Sequence, residues 1–147
     1  MPSVTLGNTP KGPIIQVQLS PSFPLQEAMR QANQPIPPPV TANFIVDTGA
    51  TGTMADTRLV MRLGLNPINT IYMHTPSTGI TPVACFQFDM SIQITGASPG
   101  TGWTIDSIPI LAGTLASRGV EGLLGRDVLD LGILIYSGAT GQFTLAY

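Results

Sequence analysis

A mostly β fold is what this sequence predicts, on three observations. Sixteen glycines and fourteen prolines punctuate 147 residues, too often for long helices. Short β-branched runs fill the spaces between them. Phe86-Gln87-Phe88-Asp89-Met90-Ser91-Ile92-Gln93-Ile94 alternates apolar and polar residues, the period of a half-buried strand. Its even-numbered side chains, Phe86, Phe88, Met90, Ile92 and Ile94, are expected to form one core face.

In chain order, Ile14 to Leu19 is the first predicted strand, alternating cleanly from Ile15. Residues 20–41 read as a proline-rich surface insertion. It holds a short helical piece over Leu25 to Gln34, then Pro35-Ile36-Pro37-Pro38-Pro39, which favours an extended polyproline conformation. Phe44-Ile45-Val46 is the next strand, and it delivers Asp47-Thr48-Gly49-Ala50, a carboxylate at a strand end followed by a sharp turn on glycine. Asp56 to Gly64 begins on a good N-cap, carries an apolar stripe and stops on glycine, which predicts a helix. Residues 71–84 place two strand-like arms around Ser77-Thr78-Gly79, small residues suited to a hairpin tip. Gly96 to Gly102 is a loop lacking the lysine of a phosphate cradle. Ile108 to Leu111, Ile133 to Tyr136 and Phe143 to Tyr147 complete the strands, and Arg126 to Leu131 is a second short helix ended by Gly132.

Composition narrows the function. A chain of this length forms one core, so a single domain over 1–147 is expected. Charged residues are only 10% and apolar residues 43%, which excludes charge-driven disorder. Six scattered basic residues and a net charge of -2 leave no patch for phosphates, so nucleic acid is not an expected partner. No apolar run is long enough to span a membrane. The N-terminus lacks the basic and long apolar regions of a signal peptide, and the single Cys85 cannot form an internal disulfide. A soluble, cytoplasmic protein is the expectation.

Asp-Thr-Gly is on its own also the signature of a plain turn. Here it has company. Val120-Glu121-Gly122-Leu123-Leu124-Gly125-Arg126-Asp127-Val128-Leu129 repeats the pattern of an apolar run, a glycine and a charged helix start. Three blocks, Phe44 to Met54, Ile71 to Ile94 and Gly122 to Tyr147, resemble in order and spacing the retropepsin-like aspartic proteases. The resemblance covers most of the chain. It implies a closed retropepsin-like β-barrel with one or two short helices, a flap hairpin over residues 71–84, and an obligate homodimer.

Aspartic-protease chemistry needs two carboxylates close enough to share one proton. The chain offers one such motif, so the resemblance implies that a second copy supplies the other Asp47 across a two-fold axis. Asp47 is then the catalytic residue of an endopeptidase acting on peptide or protein substrates, with neither metal nor cofactor. By the same resemblance Thr48 braces the paired loops, Gly49 leaves room and backbone groups for substrate, and Ala50 packs beneath the peptide. Ser77, Thr78 and Gly79 are the candidate flap tip that binds substrate, although an ordinary surface hairpin has the same composition. Arg126 and Asp127 lie structurally beneath the active-site loop, Asp127 as a helix-start cap rather than a second acid. The acidic partner that many relatives offer the arginine is absent, since Thr51 and Gly52 stand there. Relatives commonly join termini in an intersubunit sheet, a role Phe143 to Tyr147 could serve, and Val40, Met54 and Ile80 are expected cleft liners. His74, the sole histidine, has no second signature of a serine triad. Cys85 reads as a buried small side chain and Trp103 as a loop anchor. The competing reading is a non-proteolytic module of the same fold that dimerises or binds peptides.

Overall fold

A computed structural model describes residues 1–74, 79–115 and 119–147. Strand β2 (Ile14–Pro21) sends Ile15, Val17 and Leu19 inward, so the alternation of its sequence becomes two faces. It pairs antiparallel with β3 (Val40–Val46), Ile15 opposite Phe44, and on its other side with β6 (Val83–Ile94), Leu19 opposite Ile92. From β3 the sheet continues through β8 (Gly122–Leu124), β4 (Met54–Asp56) and β7 (Trp103–Gly113) back to β6. Six strands thus close a barrel and leave no edge within it. Phe44, Met90, Ile92, Ile94, Ile110 and Leu124 fill the interior. Phe44 and Gly122 face each other in register, and any side chain at Gly122 would run into the Phe44 ring.

The expected core face of β6 holds except at Phe86, which is 54% exposed. Strand β6 outruns the barrel. Its C-terminal half, Met90–Ile94, pairs with β2, whereas Val83–Gln87 pair with β5 (Asn69–Met73) in a hairpin, Met73 opposite Val83. The apolar alternation therefore continues past the rim, where no core remains to receive Phe86.

Three helices form where two had been expected with a possible third. The first, α1 (Phe23–Gln31), starts earlier than its sequence suggested because the Ser22 hydroxyl accepts the Leu25 N–H and proline occupies the first turn. It buries no residue. Helix α2 (Thr57–Arg62) begins on Asp56 as read from sequence. Helix α3 (Arg126–Leu129) is shorter than the predicted 126–131. The segment 20–41 is strand at both ends, and Val40, 5% exposed, belongs to the core rather than to a cleft.

A separate three-stranded sheet has the order β1 (Ser3–Gly7), β10 (Gln142–Ala146), β9 (Ile133–Ser137). The strand that could have served an intersubunit sheet, Phe143–Tyr147, is paired on both sides within one chain over Gln142–Ala146. Strand β10 is central, with Leu145 opposite Val4 on one side and Leu134 on the other. Trp103 stacks on Tyr147 with ring centroids 5.0 Å apart, tying this sheet to β7. No helix among the described residues is long and apolar enough to cross a membrane.

Asp56 links β4, α2 and the end of β7. Its buried carboxylate accepts the Arg58 N–H and Nε–H through Oδ1 and the Leu115 N–H through Oδ2. The Arg58 guanidinium, opposed by burial and helped by these backbone donors, holds the Asp56 carboxyl below the usual aspartate range. A carboxylate with a depressed folded pKa contributes stability above its unfolded value of about 3.9 and loses it as pH falls through the folded value. Asp56→Ala should cost about 0.5–2 kcal/mol at pH 7. Denaturant unfolding at pH 7 and pH 3 should show that gap shrinking in acid.

Candidate active site

Strand β3 ends where its partners run out. The Val46 N–H still reaches the Pro13 carbonyl at 2.8 Å and the Asp47 N–H reaches the Leu124 carbonyl at 3.0 Å, after which the chain turns. Asp47 accepts the Gly49 N–H on Oδ1 at 2.9 Å, and its carbonyl accepts the Ala50 N–H at 3.2 Å. A Cβ on Gly49 would lie 3.1 Å from that same Oδ1, so glycine lets the backbone approach the carboxylate. Asp47 and Ala50 are half-buried, whereas Thr48 and Gly49 are exposed. The turn presents an acid at the surface with one oxygen oriented.

Helix α3 holds this loop from beneath. The first amides of a helix lack intrahelical partners, and here the Arg126 N–H donates to the Ala50 carbonyl at 2.9 Å and the Asp127 N–H to the Thr51 carbonyl at 3.2 Å. The Arg126 guanidinium reaches the Thr48 carbonyl at 2.9 Å. The arginine without an acidic partner thus bonds the loop's own backbone. Asp127 accepts the Thr53 N–H at 2.9 Å on Oδ2 and the Thr53 hydroxyl at 2.7 Å on Oδ1, which also takes the Val128 N–H at 3.0 Å. The Thr53 hydroxyl in turn accepts the Gly125 N–H at 3.1 Å. The N-cap of α3 is Gly125, not Asp127. Glycine is required there, because a Cβ would come within 2.6 Å of the Gly52 carbonyl group.

One feature of this surface escaped the sequence. Ile14, Ile45, Leu123, Met54, Leu111 and Gln87 stand opposite one another in register across β2, β3, β8, β4, β7 and β6. Each is half-buried, while the alternate positions Phe44, Leu124, Ala55, Ala112 and Phe88 are in the core. Paired positions in a sheet share a face, so these side chains form a track outside the barrel, apolar from Ile14 to Leu111 and ending on the polar Gln87. Ile45 precedes Asp47 by two residues and places the track beside the acid. Only the cross-strand register could have revealed it.

Other sequence candidates fall elsewhere. The hairpin arms exist, Gly79 has a φ of +61°, and Ser77 and Thr78 lie outside the described residues. Ile80 is 95% exposed. His74 is exposed, Cys85 is buried on β6, and Trp103 is committed to its stack on Tyr147. Among the described residues no group of three His, Cys, Asp or Glu side chains could hold a metal ion.

Comparison with known proteins agrees with the family and the fold. A family model described as aspartyl protease matches residues 36–128, from the end of the insertion into α3. The crystal structure of a retropepsin-like aspartic protease from Rickettsia conorii superposes with a TM-score of 0.55. The match covers 99% of this chain and 90% of that chain at 14% identity, a likeness of fold. No curated protein matches the chain.

Removing the Asp127 carboxylate would orphan the Thr53 amide and hydroxyl, and Thr53 is fully buried. Asp127→Ala should therefore destabilise the protein by at least about 1–3 kcal/mol. Asp47→Asn should leave stability within about 0.5 kcal/mol, as a surface substitution does. Thermal unfolding of the two variants separates a holding aspartate from a presented one.

Proposed function

The chain belongs to the aspartyl protease family, and from that premise we propose that it is an aspartic endopeptidase whose active site forms when two copies bring their Asp47 carboxylates together. The observation that carries this reading is the presentation of Asp47: half-exposed at a strand end, oriented by the Gly49 N–H, on a loop held by Arg126 and Asp127. Two such carboxylates in contact cannot both ionise, so they share a proton. The ionised member takes a proton from water as it attacks the peptide carbonyl carbon. The protonated member gives its proton to the carbonyl oxygen. Collapse of the resulting diol breaks the C–N bond, and the leaving nitrogen takes up a proton from the pair. The dyad titrates as a unit, so its acid and base labels exchange between copies.

The neighbouring residues take roles around that step. Thr48, exposed at the turn, braces its counterpart across the axis, Gly49 gives the peptide backbone close access, and Ala50 packs beneath it. The β5–β6 hairpin serves as a flap, with Ser77, Thr78 and Gly79 closing over the substrate and excluding water. The track of Ile45, Leu123, Met54 and Leu111 receives an apolar side chain beside the scissile bond.

Two measurements test the reading. Purified chain should cleave an unstructured protein, and when wild-type and Asp47→Asn chains are fully exchanged at equal concentration, about one quarter of the activity of all-wild-type protein at the same total concentration should remain, against about half for independent sites. Activity linear in the wild-type fraction would overturn the paired mechanism, and binding without turnover would point to a non-proteolytic module. In a peptide series, leucine or phenylalanine at the scissile bond should exceed aspartate or lysine at least about tenfold in kcat/KM. Leu123→Asp should abolish that preference.

A further inference from the structure

Helix α1 lies at the end of the barrel opposite Asp47. It leaves β2 at Pro21, beside the start of β3, and the strand from Val40 to Asp47 puts about 20 Å between that end and the acid. A helix on a sheet ordinarily buries an apolar stripe, yet α1 buries no residue. Its start is nevertheless fixed, since the Ser22 N–H donates to the Asp89 carbonyl at 3.4 Å and the Gln26 side-chain amide to the Pro21 carbonyl at 2.7 Å. Between α1 and β7 runs a groove of about 510 Å³. Phe23, Gln26, Glu27 and Arg30, at the spacing of one helix face, form one wall, and Asp106 and Ser107 form the other. That second wall exists because β7 is irregular. Ile108 pairs with Met90 and Ile105 with Ile92, so Asp106 and Ser107 together oppose Ser91. Regular alternation from the buried Ile110 and Ile108 would turn Asp106 into the barrel. The extra residue instead returns Ile105 to the core side and leaves Asp106 and Ser107 both exposed to the groove.

We propose that this groove docks a lysine- or arginine-bearing segment of the protein substrate, away from the bond that is cut. The proposal rests on the endopeptidase reading above. Charge selects the occupant. Arg30 reaches Glu27 at 3.4 Å, whereas Asp106 has no cation against it among the described residues, and the Ser107 hydroxyl adds a further carboxylate by donating to Asp89 Oδ1 at 2.7 Å. Three carboxylates thus stand around one guanidinium, beside a Phe23 ring that is 47% exposed. Surplus negative charge next to an aromatic face suits a side chain with an apolar stem and a cationic head. A neutral or acidic segment would leave that surplus unanswered. An extended chain covers about 3.3 Å per residue, so at least about six residues separate the docked cation from the cleaved bond. Holding the substrate at this second point raises the local concentration of its cleavable segment at Asp47 and leaves the chemical step unchanged.

Matched substrates test the groove. Unstructured polypeptides that share one scissile segment and carry either a Lys-Arg or a Ser-Gly cluster about fifteen residues away should differ at least about fivefold in kcat/KM, through KM. Moving the Lys-Arg cluster to within about three residues of the bond should remove the advantage, and an advantage independent of position would mean general attraction and overturn the groove. Glu27→Gln/Asp106→Asn, at two exposed positions, should erase the difference while a short peptide of the scissile segment alone is cleaved as before. A difference that persists in that variant, or none in the wild-type protein, overturns the proposal. If the chain cleaves nothing, the endopeptidase reading fails by itself and binding decides the groove. A fluorescent Lys-Arg peptide should then bind the chain at least about fivefold more tightly than its Ser-Gly form, and the double variant should bind both alike. Equal binding of the two peptides to the unaltered chain refutes the docking site.

Discussion

The hold of α3 on the Asp47 loop is the constraint on which the rest of the molecule turns. A sharp turn that displays a carboxylate leaves carbonyls unpaired, and a helix start leaves amides unpaired. Here each deficit answers the other, through Arg126 to Ala50 and Asp127 to Thr51. The Asp127 carboxylate then ties the far end of the loop at Thr53, and the Arg126 guanidinium ties its crown at Thr48. The approach is close enough to demand glycine at Gly125, where the backbone of Gly52 passes overhead. Rigid presentation of Asp47 thus arises from backbone groups that must be satisfied in any case. It requires no strain at the acid itself.

Barrel closure supplies the second half of the design. Strand β6 acts as a stave where it pairs with β2 and as a hairpin arm where it pairs with β5, with β7 alongside it. Its ladder with β7 shifts register between Met90 and Ile92, within the half that also pairs with β2. Such an irregularity bends and twists a strand locally. The projecting arm is therefore continuous with the core, and Phe86 shows the consequence: a residue patterned for burial that stands clear of the barrel.

What could be read from the residues follows from the range of the interactions involved. Strands with internal alternation, β2 and β6, and the helix that starts on Asp56 carry local signals, and they form where expected. The three-residue strands β4 and β8 have no room to show a period, and exist only because β3 and β7 flank them. The turn at Asp47 was legible because its hydrogen bonds are local. The partnership of Asp127 with Thr53 spans 74 residues of sequence, and so the aspartate read as a cap. The track from Ile45 to Leu111 is assembled from four separate strands, each contributing one unremarkable apolar residue. Register, which no single segment encodes, turns those residues into a surface.

The pairing of β1 with β10 has an architectural corollary. The Tyr147 N–H donates to the Pro2 carbonyl at 3.0 Å, so these two residues lie side by side just beyond the ends of adjacent strands. A sequence whose ends meet can be joined by a short linker and reopened at an exposed loop, because the closed sheet does not depend on where the covalent break falls. The same proximity lets the whole unit be spliced into a loop of a host protein, entering and leaving through neighbouring points without stretching the host backbone.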